Sequence, residues 1–374
     1  MSRAQVTVLH TKPESVLADY AKLMNLADWR KYLPPDRDTL IKLNLSWTKY
    51  FPACSSEPWQ VEGVIRSLLE AGFPRERLFP VENKTVVTNP VKGARNNRWL
   101  SVLDRYGLEF IALPEVDWMV YRFESPLLKL NEIFPEGIQI PAMYVGKNIL
   151  HLPTVKTHGH STTTGAVKNS FGGLLKEVRH YAHKYIHEVL VDLLYMQKEL
   201  HPGLFCVMDG TVCGNGAGPR PMVPCIQNVL LASGDSVAID AVAARLMGFD
   251  PLSIPYIRMA HERGLGVGDP REIDIVGDDI AGVDFGFKTK RSLVIWGDQQ
   301  IRKGCLRCFE GPLLHSPLVF WAPLASNIYH DLFWYPTIGR SRIRKFMKTD
   351  WGALWKSYST RPPIGEARAT SDRK

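Results

Sequence analysis

Cysteine is sparse in this chain of 374 residues: Cys54, Cys206, Cys213, Cys225, Cys305 and Cys308 are scattered rather than set at framework spacings. That usage argues against a disulfide-stapled secreted domain and suits a reducing compartment. An apolar leader is also missing from Met1-Ser2-Arg3-Ala4-Gln5-Val6-Thr7-Val8, which argues against export. No apolar run approaches the roughly 20 residues of a membrane span, so the cytoplasm is the expected address. Charge of one sign is moderate: the net +8 favours anionic ligands or surfaces but falls short of a nucleic-acid signature, and no nucleic-acid partner is expected.

What is present is ordinary globular material, 45% hydrophobic and 22% charged, long enough for two domains. Short apolar runs of strand length, Val6–Leu9, Leu40–Leu43, Leu78–Val81 and Phe110–Leu113, alternate with helical patterns. The clearest helix runs from Pro58 to Ala71, with Ser55 or Ser56 as cap, Glu57 and Pro58 at its start and Gly72 at its end. Strands are expected again over 148–153, 204–208 and 272–276, and helices over 177–200 and 235–247. Such alternation predicts an α/β fold of two halves with mostly parallel sheets. The expected division is 1–146, 147–290, an aromatic extension over 291–360 and a disordered tail over 361–374. Trp296, Trp321, Trp334, Trp351 and Trp355 fall in the extension, and five basic residues crowd 339–348. Tryptophan beside Arg340, Arg342, Arg344 and Lys345 suits a membrane interface; a core-covering extension or a homodimer surface fits the same composition.

The segment 151–169 stands apart. A strand ends at Pro153, and Thr154-Val155-Lys156-Thr157-His158-Gly159-His160-Ser161-Thr162-Thr163-Thr164 follows before a helix begins near Gly165. Ligands of open α/β sheets bind beyond the carboxyl ends of strands, where a following helix offers unpaired N–H groups. The hydroxyls of Thr162, Thr163 and Thr164, those N–H groups and Lys168 one turn in would together hold a carboxylate or phosphate. A solvated loop with a Ser/Thr cap is the bland alternative. His180, His183 and His187 lie within about 60° of one another on the next helix, off the core face of Val178, Ala182, Ile186, Val189 and Leu193. They face water or a cleft.

Here the chain resembles the domain of unknown function 362 family. The likeness rests on Lys42 and Asn44, on Thr164-Gly165-Ala166-Val167-Lys168-Asn169 with Gly172, on His187 and Asp209-Gly210. It continues through Gly216-Ala217-Gly218-Pro219, Asp235-Ser236-Val237-Ala238-Ile239-Asp240 with Gly248, and Gly264-Leu265-Gly266. It spans about residues 38–287 and names no reaction. Many members of that family carry ferredoxin-like cysteine clusters; this sequence has only Cys305-Leu306-Arg307-Cys308, which speaks against a [4Fe–4S] pair. One segment is also similar to the nickel-pincer lactate racemases, since His158 stands ten residues ahead of Lys168. Thr164-Gly165-Ala166 replaces their Ser-Gly-Gly, so the similarity implies a shared architecture rather than a shared cofactor.

Other candidates are weaker. Gly214–Pro219 is no dinucleotide fingerprint, because Pro219 and Pro221 prevent the receiving helix. Gly216 and Gly218 would form an anion nest or a tight turn of positive φ. Asp209, Lys42, Asn44 and Glu82 sit at strand ends; Asp235 is placed to cap a helix and Asp240 to reach a cleft or a lysine. His158, His160, Cys305 and Cys308 are the metal candidates, the two thiolates being half a zinc site. The leading expectation is an enzyme for a small anionic substrate in an interdomain cleft. Lys168 and the threonines would hold the anion, and His158 with His183 or His187 would transfer protons, with Lys42 and Asp209 in support. The reaction would be isomerase-like or an oxidoreduction. A metal or iron–sulfur redox protein, and a non-catalytic binding or membrane-associated accessory protein, remain the alternatives.

Overall fold

The structure is a computed structural model that describes residues 3–85, 87–176, 182–290, 297, 300 and 327–358. The first half contributes β1 (Ala4–His10), α1 (Val16–Leu26), β2 (Thr39–Lys42), α2 (Pro58–Glu70), β3 (Leu78–Glu82), α3 (Pro90–Asn96), α4 (Trp99–Tyr106) and β4 (Ile111–Ala112). A small antiparallel pair, β5 (Trp118–Tyr121) and β6 (Ile138–Pro141), flanks α5 (Leu130–Ile133). Then come β7 (Asn148–His151), β8 (Thr154–His158), β9 (Thr162–Thr163), α6 (Gly165–Leu174) and α7 (Ile186–Leu200). The long hairpin β10 (Leu204–Gly216) and β11 (Met222–Ser233) precedes α8 (Ser236–Leu246), α9 (Pro255–Glu262) and β12 (Ile273–Gly277). A helix of π-type winding, α10 (Ile328–Gly339), runs into α11 (Arg340–Phe346), and α12 (Asp350–Ser357) follows.

The main sheet is mostly parallel, in the order β12-β1-β11-β10-β7-β2-β3-β4, with β8 paired to β10 and β9 to β8. The expected α/β class is thus present, as one continuous sheet: β7, from beyond residue 146, pairs with β2 from before it. Apolar residues alternate between its faces. Leu40, Ile149, Cys206 and Met208 join the core under α6, α7 and α8, while Ile41, Leu150, Phe205 and Val207 join the core under α1 and α2. Strands buried on both sides therefore read as unbroken apolar runs.

Several local expectations hold. Pro58 opens α2 and Gly72, at φ +85°, follows its end; Asp235 caps α8 by accepting from Val237 and Ala238 N–H. Ser56 does not cap α2. Its hydroxyl instead accepts from Asn44 N–H and donates to Leu152 O, tying the end of β2 to the exit of β7. The polar stretch after Pro153 is a hairpin rather than a loop, because β8 finds β10 on one side and β9 on the other. Gly214–Gly216 lies on β10, a far longer strand than its apolar start implied. Of the helix expected over 177–200, α7 begins at Ile186 and buries Ile186, Val189 and Leu193 as read from its periodicity. His180, Cys305, Cys308 and the tail over 361–374 lie outside the described residues.

Candidate functional site

Two polar layers meet where the parallel strands end. The inner one is fully buried. Lys42, the last residue of β2, pairs through Nζ with Glu82 at the end of β3 at 2.7 Å and also donates to Leu43 O at 2.6 Å. His151, in register with Lys42 on β7, shares a hydrogen bond of 2.5 Å between Nε2 and Gln197 Oε1. Asn169 of α6 closes the layer: its Nδ2 reaches Lys42 O and His151 Nδ1, and its Oδ1 accepts from Asn44. Lys156 of β8 donates to Asn44 Oδ1 at 2.5 Å and Cys54 O at 2.7 Å.

Burial governs the protonation of this layer. It pushes His151 down to about 3 against the opposing effect of its hydrogen bond to Gln197, so that imidazole is neutral. It also pushes the Lys156 amine down to about 8. Desolvation disfavours charge in both cases. The layer is tightly packed: a Cβ added at Gly173 would stand 3.0 Å from Lys42 Cε and 2.7 Å from the Tyr144 hydroxyl.

The outer layer forms around the β8–β9 hairpin and the start of α6. His158, the last residue of β8, is buried, and His160 N–H donates to its Nδ1 at 3.1 Å. That contact leaves the proton of a neutral ring on Nε2. Burial first, and then the charges of Lys168, His160, His183 and Lys156, hold His158 well below the ordinary histidine range. Around it the chain opens. His160, Thr162, Lys168 and His183 are each half-buried. The His160 ring lies 5.8 Å from that of His158 and 5.6 Å from that of His183, which meets Phe171 edge-on at 5.2 Å. Lys168 Nζ lies over the same Phe171 ring at 5.0 Å. Thr162, though β-branched, sits at φ +66°, a conformation that survives only where its surroundings over-determine it.

The N-terminus of α6 departs from expectation. Its free N–H groups were to hold an outside anion, but the Asp240 carboxylate of α8 already accepts from Ala166 and Val167. Gly165 is required there: at φ +59°, a Cβ would fall 2.3 Å from Asp240 Oδ1. Tyr256 of α9 donates to Asp240 and shares a hydrogen bond with the Thr163 hydroxyl, while His187 stacks on the Tyr256 ring. Burial raises the Asp240 carboxyl to about 7, against the hydrogen bonds that favour its charge. The helix dipole and cap are thus satisfied internally, and the cations and imidazoles of the rim are what an incoming anion would meet.

The structure brings His158, His160, His183 and Lys168 together, and links His187 to Thr163 through Tyr256. Thr164 caps nothing with its side chain; its N–H reaches Lys156 O. Lys42 and Asn44 lie in the inner layer, apart from the rim. Asp209 lies under the opposite face of the sheet, where it accepts from Tyr20, Trp59 and Thr211. Gly216 and Gly218 lie beside β8: Thr157 donates to Gly214 O and Gly216 O, and a Cβ at Gly218 would strike Thr157 O. Close approach of two backbones explains that glycine. Among the described residues, no three His, Cys, Asp or Glu side chains are placed to hold a metal ion. Sequence reasoning passed over Lys156, His151 and Tyr256. Lys156 carried no signal, because β8 (Thr154-Val155-Lys156-Thr157-His158) has no apolar pattern to mark its lysine as buried.

Residues 39–245 match the family described as Domain of unknown function (DUF362), more than half of the chain, and the chain belongs to that family. It is 25% identical over 295 residues to the "Thylakoid-associated protein sll1697" of Synechocystis sp., a match covering 73% of this chain and 86% of that protein. No solved structure matches it. No helix among the described residues is long and apolar enough to cross a membrane.

Proposed function

We propose that this member of the DUF362 family is an enzyme that moves a proton on a small anionic substrate at the rim of the outer layer. One observation carries the reading: a buried, neutral His158 stands behind the half-buried Lys168, His160 and His183. Lys168 supplies charge for a carboxylate or phosphate. His158, with Nδ1 engaged by His160 N–H, presents Nε2–H as a donor to an oxygen that gains negative charge, a role suited to a neutral imidazole in a dry setting. His160 and His183 are the imidazoles placed to take and return the proton. The Asp240 clamp on α6 keeps Lys168 in position without contacting the substrate.

Exchange in heavy water tests this. The full chain is incubated with small 2-hydroxy, 2-keto and phosphorylated acids, and loss of carbon-bound protons is followed by NMR. At least one acid is expected to exchange, with His183→Ala or His158→Gln slower by about 10²–10⁴-fold. If no acid exchanges, or both variants exchange like the unaltered chain, the reading fails.

A second reading concerns location. The thylakoid association stated in the name of the Synechocystis relative, together with the basic and aromatic C-terminal helices, supports a chain that works at a membrane surface without spanning it. The metal or iron–sulfur alternative rests on Cys305, Cys308 and the histidines His158 and His160; the two cysteines lie outside the described residues.

A further inference from the structure

The C-terminal helices carry the two most exposed large hydrophobic side chains among the described residues, Leu332 and Phe333, and neither polar layer uses them. The π-type winding of α10 sets the repeat of its faces at four to five residues. His330, Trp334 and Gly339 form the buried stripe, with Trp334 packed 5.3 Å from Phe51 and 5.9 Å from Trp47. Tyr335 donates to Tyr50 O, and Asp331 accepts from Trp47 Nε1. This anchoring fixes the opposite stripe outward: Ile328 is 50% exposed, Leu332 72%, Phe333 59% and Ile338 42%.

The chain continues directly into α11, where Arg340, Arg344 and Lys345 are exposed, with Lys348 just beyond. Arg342 turns the other way, donating to Met222 O at 2.5 Å and lying over Trp334. Beside α11 an open groove of about 420 Å³ is lined by Val223, Ile226, Phe346 and Lys345, among others. Of the two acids among the described residues 327–358, Asp331 is turned to Trp47 and Lys49, leaving Asp350 against four cations.

We infer that α10 and α11 form a docking surface for an anionic lipid bilayer, with Leu332 and Phe333 entering the headgroup boundary and Arg340, Arg344, Lys345 and Lys348 meeting the lipid phosphates. This rests on the membrane-surface reading above and gives it a place and a partner. A fixed apolar ridge beside an exposed cationic stretch is the pattern by which interfacial helices hold to negatively charged membranes. A second copy would bring the same four cations face to face, so charge favours the lipid over self-association.

Co-sedimentation of the full chain with vesicles tests the inference. One set is phosphatidylcholine alone; the other contains an equal part of phosphatidylglycerol. The chain is expected to bind the anionic vesicles at least about tenfold more strongly and to lose that binding as salt rises. Leu332→Asp with Phe333→Asp, and separately Arg344→Glu with Lys345→Glu, should each weaken binding by about tenfold or more without changing the melting temperature. If the unaltered chain binds and both variants bind equally well, the docking surface is wrong and the membrane-surface reading stands. If the unaltered chain binds neither vesicle, both fall. If light scattering finds a dimer that Leu332→Asp with Phe333→Asp separates into monomers, the ridge belongs to a second copy and the inference is overturned.

Discussion

The inner and outer polar layers are built from the same kinds of side chain but differ in how open each is to solvent. In the inner layer Lys42, Glu82, His151, Asn169 and Lys156 are spent on one another and on backbone carbonyls. In the outer layer Lys168, His160 and His183 touch rings and remain half open to solvent. Strand ends thus collect polar groups in two settings, and openness rather than residue type separates them. The inner layer holds the sheet and α6 in register, and the rim can meet a ligand.

The comparison breaks most readily at the ion pair. Lys42→Ala would strand the buried Glu82 carboxylate and should lower stability by about 3–5 kcal/mol. Lys42→Met with Glu82→Leu should lose much less, because no uncompensated charge remains. Urea unfolding of both variants checks this, and equal losses would mean that packing rather than charge pairing dominates.

The Asp240 clamp comes next. Asp240→Ala should cost about 1–2 kcal/mol as a lost helix cap. Its pH signature has a definite sign. The folded carboxyl holds its proton up to about 7, whereas the unfolded one releases it near 4. Its contribution therefore diminishes as pH rises from about 4 to about 7. His151 has the opposite sign: the unfolded ring takes a proton near 6.5 and the folded ring only near 3, so stability falls as pH drops through that window. Asp240→Asn should make acid destabilisation steeper and His151→Gln should make it shallower; unfolding curves at several pH values distinguish the two.

Lys168→Ala should have the smallest effect on the fold, within about 0.5 kcal/mol as for other partly exposed substitutions. Yet it should abolish any rise in melting temperature produced by phosphate or small dicarboxylates. A large loss of stability in this variant would place Lys168 with the inner layer instead.

Much of this was legible in the sequence. Apolar runs marked the strands of a two-sided sheet, and Pro58, Gly72 and Asp235 punctuated their helices through local backbone chemistry. His158 and Lys168 stand out in the sequence because polar residues gather at a strand end. What escaped depended on distant partners. Nothing near Gly165 tells that a carboxylate from 75 residues later will fill the end of its helix. Asp209 resembled a catalytic acid by position alone; only side-chain alternation along the full β10 assigns it to the far face. The polar hairpin also escaped, since β8 is stabilised by its pairing with β10 and carries no apolar pattern of its own.

The central claim is that His158 is a neutral donor at the edge of an anion-binding rim. Histidine ring resonances, followed by NMR with labelled histidine and assigned by His158→Gln, test it most directly. His158 is expected to keep its neutral, Nε2-protonated form well below pH 6. Added phosphate or oxalate is expected to shift His158, His160 and His183 together, and Lys168→Ala to remove this response. A His158 ring that titrates near 6.5, or a rim that does not respond to either anion, would contradict it.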